Sequence, residues 1–329
     1  MTCPDSHVLA GFNLGSGPDS DMATTMFRHV LCPIDFSDFS RHALDHAVAI
    51  AHLYDARVTV LHVSSPAHED MLLSTADVPP LPASPDRSRL IGRTKQFVEQ
   101  EIGAGASVEI VVSEAGDVYM DILAHAGALH ADLLVMGTHG RTGFDRLVLG
   151  SVTEKVLRKA PCPVLTVPRL APDVVPAGPV LYKRILCGVD FSDASMAALS
   201  YALSLAQQAD AWLGVVHVVE LLPGVYDTPL PRALSDVMRE IETDARQRIN
   251  VAVPATAREA CRVEDMVVVG HVRRILANLA AERHAELIVL GVHGRGAIDR
   301  MLFGSTADYI VRHASCPVLT TRELQQPRP

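Results

Sequence analysis

Two stretches of this chain carry the same residue types at the same spacing, and those types suit an anion. Gly137-Thr-His-Gly140 is followed by nine residues and then Gly150-Ser151; Gly291-Val-His-Gly294 is followed by nine residues and then Gly304-Ser305. Each copy follows an apolar run, Leu133 to Met136 or Leu287 to Leu290, and precedes a helix-like stretch. Glycines at such places let the backbone come close to a ligand and reach positive φ. The free amides and positive dipole end of a helix opening at Ser151 or Ser305 favour negative charge. Both serines can cap that helix or give a hydroxyl to a phosphate. Arg141 and Arg295, directly after the second glycine, are phosphate partners or solvated surface residues. Asp35 and Asp190 each end an apolar run, where a carboxylate can accept hydrogen bonds from a base or sugar; Asp35 could instead cap the helix that follows. The doubled pattern points to two nucleotide sites, or to one live site and one relic.

The elements that must carry these residues are doubled too. His29-Val-Leu-Cys-Pro-Ile-Asp35-Phe-Ser-Asp matches Arg184-Ile-Leu-Cys-Gly-Val-Asp190-Phe-Ser-Asp, Val60-Leu-His62-Val63 matches Val215-Val-His217-Val218, and Ala160-Pro-Cys-Pro-Val-Leu-Thr166 matches Ala314-Ser-Cys-Pro-Val-Leu-Thr320. Self-similarity at domain length means duplication. The expected organisation is a flexible leader over 1–25 (or a start at Met26), a first domain over 26–170, a Pro/Gly-rich linker over 171–181 and a second domain over 182–324. Within the first half, strand patterns at His29–Ile34, Arg57–Val63, Val108–Val112, Asp132–Met136 and Val164–Val167 alternate with helical patterns. Those helices run from Asp38 to Leu53, from Asp86 to Ile102, from an N-cap at Asp117 to Leu129, and from Ser151 to the break at Pro161. Long excursions, the polar, Pro-rich Ser64–Pro85 and the shorter Leu221–Pro231, follow the second strand of each half. Alternating strands and helices with near-continuous apolar strands predict two doubly wound, Rossmann-like α/β domains, each with a five-stranded parallel sheet. In such sheets ligands sit at the carboxyl ends of the strands, where the winding reverses.

Composition excludes several classes. The 29 basic and 38 acidic residues give a net charge of −9, against a nucleic-acid partner. No run approaches the roughly 20 apolar residues of a membrane span, and the N-terminal stretch does not read as a secretory signal. The six cysteines show no CxxC or zinc spacing and read as buried thiols of a cytoplasmic protein. Neither GxxxxGK[ST] nor a GxGxxG after the first strand is present, which disfavours P-loop hydrolases and NAD dehydrogenases. His42 and His46 stand at i, i+4 but lack a third ligand, so a solvated helix face is expected there. His139 and His293 read as loop-shaping or ligand-adjacent residues. His62 and His217 read as core residues or residues supporting the site.

With these motifs in hand, the chain resembles the universal stress protein family in its tandem form, over Phe27–Arg169 and Lys183–Arg322. The family's nucleotide-binding branch is marked by G-x2-G-x9-G-[ST], present in both halves. The resemblance implies ATP, with or without Mg2+, as the ligand. It implies that Asp35 and Asp190 and the residues after them meet the adenosine end, with Pro33 before Asp35 also counted among the ligand-binding residues. Val63 and Val218 would meet the adenine. Gly137, Gly140, Gly291 and Gly294 would meet the ribose and phosphates. Gly150, Ser151, Gly304 and Ser305, followed by Val152 in one half and Thr306 in the other, would meet the phosphates. It also implies pairing of the halves through the last strands, Val164–Val167 and Val318–Thr321, and a homodimer. Gly188 in place of Pro33 is expected to loosen the adenosine end of the second half. The expected function is a cytosolic stress-response or signalling protein whose conformation or partners respond to ATP. A slow ATPase and a nucleotide-free interaction scaffold are the alternatives.

Overall fold

The computed structural model describes residues 26–65, 87–102, 108–140, 149–168, 171, 182–220, 232–292 and 303–322. The leader, most of the linker and most of both excursions lie outside these residues, as do Arg141, Gly294 and Arg295. The chain divides into two compact units with the boundary near the linker.

The first unit runs β1 (His29–Ile34), α1 (Asp38–Tyr54), β2 (Arg57–Ser64), α2 (Arg87–Ile102), β3 (Val108–Glu114), α3 (Val118–Ala128), β4 (Leu133–Gly137), α4 (Ser151–Lys159) and β5 (Val164–Val167). Its strands are parallel and lie in the order β3-β2-β1-β4-β5. The winding therefore reverses between β1 and β4. Val30, Leu31, Val60, Leu61 and Leu133 to Val135 are fully or almost fully buried, as strands covered on both faces require.

The second unit repeats this with β6 (Arg184–Gly188), α5 (Asp193–Ala209), β7 (Trp212–Val219), α6 (Arg232–Ala252), α7 (Ala255–Ala260), β8 (Arg262–Val269), α8 (Val272–Glu282), β9 (Leu287–Gly291), α9 (Ser305–His313) and β10 (Val318–Thr321). Its order is β8-β7-β6-β9-β10, again parallel. The fold is thus two Rossmann-like α/β domains. Among the described residues, no helix is long and apolar enough to cross a membrane.

Where boundaries differ from expectation, hydrogen bonding explains it. β2 and β3 run on to Ser64 and Glu114 because the parallel ladder continues through Val63–Ser113 and Ser64–Glu114. β4 begins at Leu133 rather than Asp132, because the Asp132 carboxylate accepts the backbone N–H groups of Arg28 and His29 at 2.8 and 3.0 Å. Glu286 does the same for Lys183 at the start of the second unit. Asp117 occupies the N-cap position of α3, but its side chain makes no capping bond.

Candidate functional site

The loop after β1 is built around Asp35. Ser37, not Asp35, caps α1: its hydroxyl oxygen accepts Ser40 N–H at 3.2 Å. Asp35 Oδ1 in turn accepts the Ser37 amide at 3.1 Å and its hydroxyl at 2.5 Å. The second carboxylate oxygen faces the glycine loop, since a methyl at Gly140 would stand 2.5 Å from Asp35 Oδ2. Gly140 is what lets the carboxylate and the loop share that space.

Between them, Phe36 adopts φ 63°, a left-handed conformation that is a genuine outlier for a bulky residue. Its ring rests on His62 of β2 at 4.4 Å between centroids, and Arg93 of α2 lies over it at 4.1 Å. His62 is buried and donates from Nδ1 to the Ile34 carbonyl at 3.0 Å, which fixes the ring at the end of β2.

The glycine loop is closed at its base. Thr138 N–H donates to Val167 O at 3.1 Å, and Thr138 O accepts Gly150 N–H at 2.9 Å. The Thr153 hydroxyl bonds the Gly137 carbonyl at 2.9 Å. Gly137 is required by the fold itself: a methyl there would lie 2.7 Å from Phe39 Cβ, where α1 presses on the end of β4. Gly150 stands at the N-cap of α4, and among the described residues no side chain caps that end. His139 Nδ1 is 3.0 Å from the Thr138 hydroxyl, while its Nε2 is buried without a hydrogen-bond partner among the described residues.

These pieces surround one cavity of about 180 Å³ at the carboxyl ends of β1, β2 and β4. Pro33, Asp35, Val63, Gly137, Gly140, Gly150, Ser151 and Val152 all line it. Sequence reading missed its apolar wall, formed by Leu90, Val118 and Ile122 with Leu61 and Met136, and its rim at Ser64, Ser65 and Arg93. Phe36, one of the residues after Asp35 expected at the adenosine end, lines the cavity too, but its left-handed backbone and its stack on His62 were not foreseen. The repeat of Asp-Phe-Ser in both halves was the one local signal that could have found them.

In the second unit Asp190 Oδ1 accepts the Ser192 amide and hydroxyl at 3.0 and 2.6 Å. Phe191 has φ 62°, with His217 at 4.7 Å and Arg248 at 3.9 Å. His217 donates to Val189 O at 2.8 Å. Gly304 N–H closes on Val292 O at 2.6 Å, and Gly304 leaves the start of α9 without a side-chain cap. Ser305 and Thr306 then open α9, and Val218, one residue after His217, is the next-to-last residue of β7.

Three expectations are corrected. Gly188 does not open space, because a methyl there would meet Leu290 Cδ2 at 2.7 Å and Leu276 at 3.3 Å. His46 is not on a solvated face: α1 is covered so widely that this imidazole is buried, and burial pushes it down to about 3, with His42 adding to the shift. Asp35 is not the cap of α1. The repeated cysteines are free, and burial pushes Cys162 and Cys316 up to about 12, which makes them inert packing residues.

A profile of the universal stress protein family matches residues 26–168 and 181–322. The chain belongs to the universal stress protein family. Two matches in one polypeptide make it a tandem member. A universal stress protein of Methanocaldococcus jannaschii is 29% identical over 152 residues, covering 46% of this chain and 88% of the relative. One from Mycobacterium bovis is 32% identical over 199 residues, covering 59% of this chain and 62% of its own length. Among solved structures, a universal stress protein from Archaeoglobus fulgidus superposes with a TM-score of 0.61 at 21% identity, covering 92% of this chain and all of the other. One from Pseudomonas aeruginosa gives 0.62 at 19% identity, over 92% and 95% of the two chains. At these identities the structures bear on the fold alone.

Proposed function

We propose that this protein is an ATP-binding member of its family, in which nucleotide held at the first-half cavity biases conformation or the affinity for a partner. The observation that supports the reading is convergence: eight residues that the glycine motif, the strand-end positions and the family resemblance assign to a nucleotide line a single cavity at the winding reversal. Its chemistry fits the ligand from end to end. Leu61, Leu90, Val118, Ile122 and Met136 offer an apolar slot for a flat base. Asp35 Oδ2 suits sugar hydroxyls. The unsubstituted backbone at Gly137 and Gly140, the orphaned Nε2 of His139 and the uncapped start of α4 suit a chain of phosphates.

Bound ATP would supply a polyanion whose charge these donors hold. Among the described residues no group of three His, Cys, Asp or Glu side chains is placed to take a metal ion, so magnesium in this reading travels on the phosphates. A ligand shifts a conformational equilibrium only by its differential affinity for the two states, so the response is expected as a nucleotide-dependent change in stability or partner binding. Buried thiols and the net negative charge support the cytoplasm as its location.

The test is mass spectrometry of the small molecule released from the purified protein, beside calorimetric titration of the stripped protein with ATP, ADP and AMP, with and without magnesium. Binding of ATP at a stoichiometry of one or two supports the reading. No released nucleotide and no heat with any of the three would overturn it.

A further inference from the structure

Both units hold an arginine in the same unusual setting. Arg93 Cζ lies 4.1 Å from the centroid of Phe36, and Arg248 Cζ lies 3.9 Å from that of Phe191. Both phenylalanines are left-handed, at φ 63° and 62°. A bulky non-glycine residue there is strained and persists only where its surroundings over-determine it. Here the surroundings do so twice. The Asp carboxylate holds the following Ser, and the His at the end of the second strand packs on the ring. The stack has survived while neighbouring positions changed, for example Leu90 to Ala245 and Ser65 to Glu220.

Arg93 and Phe36 both line the cavity. Among the described residues, no carboxylate lies within ion-pair distance of Arg93. Phe36 sits against His62, so the stack belongs to the β2 side of the site. The open end of α4 follows β4, across β1, which places it about 10 Å away at ordinary strand spacing. Arg93 therefore addresses the end of the ligand away from the helix amides.

We propose that Arg93, and Arg248 in the second unit, each add a stacking contact to the base beside the apolar slot. Each guanidinium is held over a strained Phe ring and presents a planar cation to the nucleobase. This rests on the nucleotide reading above. Guanidinium planes stack on bases as they do on aromatic rings, and a lysine cannot replace that planar face. The Phe pays in backbone strain for a guanidinium that is already positioned before ligand arrives.

The test uses the full chain, stripped of ligand, as wild type, Arg93→Ala/Arg248→Ala and Arg93→Lys/Arg248→Lys. Each is titrated with adenosine and with ATP, and each apo form is melted. The alanine variant is expected to bind adenosine and ATP more weakly by the same factor, about five- to tenfold. The lysine variant, which keeps the charge and stem, is expected to recover less than half of that on a logarithmic scale while its apo form melts like wild type. Adenosine binding unchanged in the lysine variant overturns the proposal and leaves the stack as a structural latch between α2 and β1. Loss confined to ATP overturns it as well, by assigning the arginines to the phosphates. If wild type binds neither ligand, the nucleotide reading itself has failed, an outcome separate from the other two.

Discussion

The two units agree in their backbones and disagree in what they line them with. Both hold Asp-Phe-Ser with a left-handed Phe under an Arg. Both close the glycine loop on the residue after the first glycine and leave the next helix without a side-chain cap. At the ends of the second strands they part. Ser64 and Ser65 form the rim of the first cavity, whereas Val219 and Glu220 stand at those positions in the second unit. Glu220 uses Oε1 to accept Val272 N–H at 3.0 Å, putting a carboxylate at the start of α8. The side-chain bonds beside the glycine strand differ as well. Thr153 bonds Gly137 O in the first unit, whereas Ala307 replaces it in the second, where the Thr321 hydroxyl of β10 bonds the Ala194 carbonyl of α5 at 3.3 Å. Duplicated halves thus keep the backbone devices that shape a site and vary the side chains that choose its ligand.

The comparison can be broken hardest at the first glycine of each motif. A methyl at Gly291 would lie 2.6 Å from Ala194 C and 2.7 Å from Ser195 N, both backbone atoms that cannot yield. At Gly137 it meets Phe39 Cβ at 2.7 Å and backbone at 3.0 Å. Gly291→Ala is expected to destabilise its unit by about 3 kcal/mol or more and Gly137→Ala by slightly less, in line with overpacking costs. Denaturant unfolding without nucleotide checks this. Wild-type stability in both variants would mean these glycines serve ligand approach alone.

Acid should separate the units next. His46 is held down to about 3 by burial, and His29 is lowered for the same leading reason. An unfolded histidine takes its proton near pH 6.5, so between the two values the unfolded chain binds protons that the folded unit refuses. Stability of the first unit then falls as pH drops below about 6.5, by up to about 1.4 kcal/mol per pH unit for each such histidine. Tyr201 and Arg184 occupy the matching places in the second unit. The single tryptophan, Trp212, lies in β7 and reports the second unit alone. Lowering pH from about 7.5 to about 5 should move the circular-dichroism midpoint in urea further than the fluorescence midpoint. Equal movement of both probes would contradict the assignment. His46→Tyr should narrow the gap.

Two smaller effects sharpen the picture. Gly140→Ala sets a methyl 2.5 Å from Asp35 Oδ2, the movable end of a side chain. It should leave stability within about 0.5 kcal/mol yet weaken ATP binding by about tenfold, which titration beside unfolding would read. Glu220→Ala should cost the second unit about 0.5–1 kcal/mol, the ordinary worth of a carboxylate at a helix start. Ser65→Ala has no comparable helix-start bond to lose.

The sequence by itself determined the duplication, the order of strands and helices, and the chemistry gathered at the strand ends. It could do so because burial periodicity, glycine spacing and the position of Asp35 relative to its strand are local properties. Knowing that ligands meet doubly wound sheets at strand ends then brought Asp35, Val63 and Gly137 to one place before any coordinates. Tertiary structure decided what depends on the meeting of distant side chains. Nothing local marks Arg93 on α2 until the fold sets it over Phe36. His46 reads as half of an exposed pair until α1 is covered. Gly188 reads as slack until Leu290 fills it. In each case the deciding quantity is which atoms occupy a few ångströms of space, and that is fixed only when sheet and helices close upon one another.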